Sequence, residues 1–130
     1  MMTPHVPVSW GELLDKITIL QIKESKINNP QALANVKNEL TLLTSTASNV
    51  ADQVLPLVEQ LSIVNRNLWE VEDQLRSLEA LESFGETFVQ LARSVYKLND
   101  QRAAIKKQIN TQLGSKLVEE KSYNENICLR

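Results

Sequence analysis

Between Leu33 and Leu78 an apolar residue recurs at every third and then fourth position without a miss: Leu33, Val36, Leu40, Leu43, Ala47, Val50, Val54, Leu57, Leu61, Val64, Leu68, Val71, Leu75 and Leu78. A 3-4-3-4 spacing keeps one apolar stripe on one side of a helix, the seam of a coiled coil or helical bundle. The stripe therefore dictates long helices packed lengthwise. It is silent about chemistry.

The rest of the chain divides around it. Pro4 and Pro7 make residues 1–8 an extended lead-in. Ser9-Trp10-Gly11-Glu12 reads as a capping box that starts a first helix over 10–27. Its middle, Ile17-Thr18-Ile19-Leu20-Gln21-Ile22, is β-branched and could form a strand, but the cap and the Leu13, Ile17, Leu20 spacing favour a helix buried on several faces. Asn28-Asn29-Pro30 ends it, and Pro30 can open the second helix, 30–47. The weak helix formers from Thr44 to Asn49 and Pro56 fall close together, so the chain is read as breaking near Ser48 and resuming in a third helix, 53–82. The unbroken phase of the stripe argues for one continuous helix instead. Ser83-Phe84-Gly85-Glu86 echoes the first cap and is read as starting a fourth helix, 84–113. Phe84, Phe88, Leu91, Val95, Leu98, Arg102, Ile105 and Ile109 form its seam, and Gly114 terminates it. A polar tail, 115–130, follows. The expected fold is a single all-α domain, a four-helix bundle in which the third and fourth helices form a long antiparallel, coiled-coil-like hairpin.

Charge supports that hairpin. Seven carboxylates lie between Leu57 and Glu86 against Arg66 and Arg76, whereas five bases lie between Arg93 and Lys107 against Asp100. Exposed pairs contribute only ~0.2–1 kcal/mol each, so they choose which helices pair more than they stabilise them. With a formal net charge of -2, the chain has no general attraction for nucleic acid or anionic membrane. No apolar run approaches the ~20 residues of a membrane span, and residues 1–8 lack the basic and apolar regions of a secretory signal. Cys128 stands alone, which excludes an internal disulfide and points to a reducing compartment; the cytoplasm is expected.

Arg102 is the sharpest oddity, a guanidinium at a seam position among apolar neighbours. Buried unpaired, it would cost several kcal/mol, so it needs a carboxylate or a ligand. The bland reading pairs it with an acid on another helix. The functional reading has it clamp an anion with Arg93, using Asn65, Trp69, Tyr96, Asn99 and Asp100 to orient the ligand. Asp15 and Lys16 are a further candidate pair, although a solvated edge is the simpler reading of both. Glu70 and Asp73 share a helix face, and Glu79 and Glu82 give half of a Glu-x-x-Glu set whose second half the fourth helix lacks. No metal site is read from these, and no cofactor is implied. His5 and Cys128 are the only residues of their kinds, which rules out a Cys/His zinc set; as a nucleophile–base pair they would need both ends of the chain to meet. There is no glycine-rich phosphate loop, nucleophile elbow or His-Glu-x-x-His run. No catalytic set is legible.

The run Ser-Trp-Gly-Glu-Leu-Leu-Asp-Lys at 9–16, Leu-Trp-Glu-Val-Glu-Asp at 68–73, Leu-Ala-Arg-Ser-Val-Tyr at 91–96, Asn-Asp-Gln-Arg-Ala-Ala-Ile at 99–105 and Glu-Glu-Lys-Ser-Tyr at 119–123 resemble a family of small uncharacterised bacterial proteins. The likeness covers nearly the whole chain and implies a cytoplasmic domain of unknown function. It singles out the polar positions Glu12, Asp15, Lys16, Lys23, Asn65, Trp69, Glu70, Arg93, Tyr96, Asn99, Asp100, Arg102, Lys121 and Tyr123.

The leading expectation is an interaction or scaffold module that self-associates through its apolar faces as a homodimer, with a protein partner as the other occupant. The alternative is a small-molecule binder or enzyme acting on an anionic metabolite held by Arg102 and Arg93. The two part at Arg102. In a binder it faces a solvent-connected cleft with a second basic residue; in a scaffold it is closed against a carboxylate.

Overall fold

The computed structural model describes residues 1–122, and among these the chain is helical without strands. Helix α1 spans Trp10–Lys26, α2 Pro30–Ala47, α3 Leu55–Ala80 and α4 Glu86–Gln112. Cys128 and Tyr123 lie outside the described residues.

The connections follow from local chemistry. The Ser9 side chain accepts from the Glu12 amide at 3.1 Å and starts α1. Asn29 accepts from the Ala32 amide at 2.9 Å and caps α2, with Pro30 in the first turn. The weak stretch after Thr44 does interrupt the helix: Ala51–Val54 forms a tight 3-10 turn, and α3 resumes at Leu55 with Pro56 in its first turn, where a missing N–H costs nothing. The apolar stripe survives the interruption because Val54 turns fully inward between Ala47 and Leu61.

The echo at Ser83 behaves differently from the expectation. Helix α4 is preceded by Gly85 with no side-chain cap, and Phe84 lies outside the helix. Ser83 instead completes the end of α3: its amide donates to the Leu78 carbonyl at 2.9 Å, and the Glu82 amide to Glu79 at 3.0 Å. Glu82 sits in the left-handed region at φ 52°. That paired pattern is a Schellman terminator, and it claims the backbone a serine cap would need. Gly114 ends α4 in the same way, at φ 62°, with Ser115 donating to Asn110 at 2.8 Å.

Helices α3 and α4 form the long antiparallel hairpin, each ~40 Å in length. Helix α1, ~25 Å, lies against both and also carries α2 on its far side. Leu13, Leu14, Ile17, Leu61, Val64, Leu68, Ile105 and Ile109 meet in the core. Coverage by α1 stops partway along the hairpin. Beyond it, Val71, Leu75, Leu78, Phe88, Leu91 and Val95 are only half-buried. No helix among the described residues is long and apolar enough to cross a membrane.

Candidate functional site

Three polar series face one another where α1 crosses the hairpin. On α4, Asn99, Arg102, Lys106 and Asn110 recur at intervals of three and four, Arg102 in the apolar seam and the others beside it. Gly11, Asp15 and Thr18 do the same on α1, and Asn65 and Trp69 on α3. Such spacing places each series on one helix face.

At the centre is Asp15, which is 0% exposed and not, as its lysine neighbour suggested, at a solvated edge. Arg102 grips it with both oxygens occupied: Nε donates to Oδ1 at 2.9 Å and Nη2 to Oδ2. The Asn65 amide donates to the same Oδ1 at 2.9 Å and to the Thr18 hydroxyl at 2.8 Å. Thr18 in turn donates to the Asp15 carbonyl at 2.7 Å. The Lys106 ammonium lies 3.9 Å from Oδ2 and hydrogen-bonds Glu12 at 2.7 Å and Glu119 at 2.9 Å. Among the described residues, no buried side-chain polar atom is left without a partner. A buried charge cluster needs that completeness.

The electrostatics follow from these contacts. Hydrogen bonding to Asp15 raises the Arg102 pKa above its ordinary value, against the opposing effect of burial. Burial alone would pull Lys106 down, but hydrogen bonds to Glu12 and Glu119, with the Asp15 and Glu12 charges, leave it raised. The Lys106 hydrogen bond lowers Glu119 below the usual carboxylate value.

The cluster is closed on one side and open on another. Two of the five guanidinium N–H donors of Arg102 go to Asp15, which leaves three for other acceptors. The Arg102 side chain retains 29% exposure. It lines three half-open clefts. The first, about 210 Å³, is walled by Glu12, Asn99, Lys106, Glu119 and Lys121 with Arg102. The second, also about 210 Å³, is lined by Ile19, Ile22, Leu68 and Trp69 together with Asn65, Glu72, Asn99 and Arg102. The third, about 300 Å³, runs towards Lys16, Lys23 and Glu39.

The structure thus brings together Asp15, Asn65, Trp69, Asn99 and Arg102 from the sequence candidates. Lys16 stays solvated, paired with Glu39 at 3.1 Å, and reaches only the third cleft. Arg93 and Tyr96 are exposed and line none of the three clefts; Arg93 lies nine residues, ~14 Å along the helix, from Arg102. Arg93 is therefore not the second basic residue beside Arg102. Asp100, two residues from Arg102, lines none of these clefts. Glu70 is exposed and pairs with Lys26 at 3.2 Å.

Lys106 was hidden among the bases assigned to the hairpin, although its place one turn after Arg102 puts it on the same face. The expected use of both residues against the acids of α3 does not hold: they turn to α1 and the tail. Glu12 similarly gives up the return half of its capping box to reach Lys106. Nothing in the aperiodic tail marks Glu119 as a partner. It is placed by Ser115, whose hydroxyl accepts from the Trp10 amide at 3.3 Å and donates to the Leu117 carbonyl at 2.9 Å.

Neither the curated proteins nor the solved structures include a significant match to this sequence. A family model does match, over residues 4–130, nearly the whole chain, and the chain belongs to that family: the family of unknown function DUF6165.

Proposed function

We propose that this domain binds a small anionic molecule in the cleft shared by Arg102, Lys106 and Lys121, with the ligand's acidic group taking the position of the Glu119 carboxylate. The observation that carries this reading is the combination at Arg102: a bidentate carboxylate on one edge and a solvent-connected cleft with Lys106 and Lys121 on the other. Charge counting shows why Glu119 matters. Three cations, Arg102, Lys106 and Lys121, meet three carboxylates, Glu12, Asp15 and Glu119. Asp15 and Glu12 are fixed on α1, whereas Glu119 sits on an irregular segment and is half exposed. It is the one carboxylate that can leave at little structural cost, and its departure leaves a net positive cleft with a 10%-exposed ammonium short of an acceptor. An incoming phosphate or carboxylate supplies one.

Titration with inorganic phosphate at low ionic strength, followed by backbone amide chemical shifts, tests this directly. Glu119→Gln is expected to bind phosphate about tenfold more tightly than the parent chain, because a competing negative charge is gone. Lys106→Met is expected to abolish the shifts at α4. Acid acts as Glu119→Gln does: the carboxylate's pKa is lowered on docking, so its hold is complete above the ordinary 4.5 and fades as pH falls through the lowered value. Absence of phosphate-dependent shifts in both chains would refute the proposal.

Self-association is a second reading, supported by the uncovered half of the hairpin. The seam there keeps its phase but meets no third helix among the described residues, and Leu81, Phe84 and Val89 are exposed around the tip. A second copy laid across it antiparallel would set the acids Glu72, Asp73 and Glu79 of one hairpin near Arg93 and Lys97 of the other. Sedimentation equilibrium over a wide concentration range is expected to give a dimer that Leu78→Glu converts to monomer. A monomer at every concentration would end this reading.

A further inference from the structure

We infer that the ligand of this site has two parts, an acidic group and a single flat apolar ring, with the ring lodged in the cleft walled by Trp69. This rests on the anion-binding reading above and deepens it.

The first and second clefts are both lined by Asn99 and Arg102, so they adjoin, and a molecule reaching past these side chains would occupy both. Their chemistry differs. The first is charged on nearly every side, with Lys106, Lys121 and the two glutamates. The second mixes the apolar Ile19, Ile22, Leu68 and Trp69 with Asn65, Glu72, Asn99 and Arg102. An isolated apolar dent on a helical bundle carries no meaning by itself. This one borders the Arg102 guanidinium, and it includes a half-buried indole.

Size narrows the occupant. A cavity of about 150 Å³ lined by aliphatic and aromatic residues suffices for benzene. The second cleft, at about 210 Å³, therefore has room for one six-membered ring. A guanidinium plane and an indole on its walls both favour a flat π-face over a branched aliphatic body. The polar wall adds recognition. Asn99 borders both clefts and can hydrogen-bond a polar group at the junction of the ring and the acid.

The test compares inorganic phosphate with phenyl phosphate, which adds one ring to the same acid, by calorimetry or chemical-shift titration on the full chain. Phenyl phosphate is expected to bind about tenfold more tightly, the return for burying an aromatic face. Trp69→Ala is expected to erase that gain, so that the variant binds the two probes with equal affinity. Equal affinity for the two probes in the parent chain would overturn the two-part ligand while leaving the anion site standing. A gain that survives Trp69→Ala would overturn it as well, since the ring would then lie elsewhere. Failure of both probes to bind would remove the anion site and this inference together. The parent-chain comparison stands whether or not the Trp69 variant folds.

Discussion

Asp15→Ala is expected to destabilise the domain by about 3–5 kcal/mol, read as a fall in the urea midpoint of helix unfolding. The carboxylate accepts from Arg102 at both oxygens, from Asn65 at one, and lies 3.9 Å from Lys106. Removing it leaves a guanidinium and a 10%-exposed ammonium without their shared counter-charge. That loss is a large fraction of the ~5–15 kcal/mol that holds an ordinary domain together. Arg102→Ala should be milder, because Asn65 and Lys106 still face the carboxylate. A double variant, Asp15→Leu with Arg102→Met, should lose less than Asp15→Ala alone, since both charges leave together. A single-variant cost under about 1 kcal/mol would mean that water already shields the pair.

Gly11→Ala should cost about 1–3 kcal/mol, against the grain of helix propensity. In an exposed helix the same change stabilises by roughly 1 kcal/mol. Here a Cβ would stand 2.6 Å from the Lys106 carbonyl oxygen and 2.9 Å from the Asn110 side-chain oxygen. The first is backbone and cannot swing aside. The second accepts from the Gly11 amide at 2.7 Å, so relief by moving Asn110 forfeits a buried hydrogen bond. Gly85→Ala is the steric control: nothing lies within 4 Å of its Cβ position, so its cost should stay within the ~1 kcal/mol that separates alanine from glycine at a helix N-cap. Paired thermal melts of the two variants decide the matter. Equal melting temperatures would show that α1 and α4 can part without penalty.

These two positions show what could be read from the chain and what could not. The stripe from Leu33 to Leu78 sufficed for the all-helical fold because periodicity is local. Two weak features, the Thr44–Asn49 stretch and Pro56, located the interruption of that stripe for the same reason. Arg102 announced itself by breaking an apolar series. Its partner did not, because Asp15 is 87 residues away and sits beside Lys16, a neighbour that makes any carboxylate look solvated. Gly11 read as part of a cap, since a close helix approach leaves no trace in the sequence of one helix. Ser83 misled because the same four-residue pattern can end the preceding helix as well as begin the next. Glu119 was illegible: only Ser115, anchored on Trp10, brings it to Lys106.

The Gly11–Asn110 contact closes a loop of 99 residues. For a flexible chain, that closure costs roughly 4 kcal/mol of entropy. It is also the step that withdraws Asp15, Arg102 and Lys106 from water, so the entropic and desolvation costs fall on the same event. Prior docking of α3 on α4 shortens the effective loop, but it cannot supply the carboxylate. The apolar face of α1 alone would tolerate a slide of one turn, about 5.4 Å, since Leu13, Ile17 and Leu20 recur at that interval. Such a slide would present Gly11 or Ile19 to the guanidinium in place of Asp15. Closure in the wrong frame thus leaves the Arg102 guanidinium without its carboxylate, and only one alignment of the two most distant helices in the chain completes the molecule.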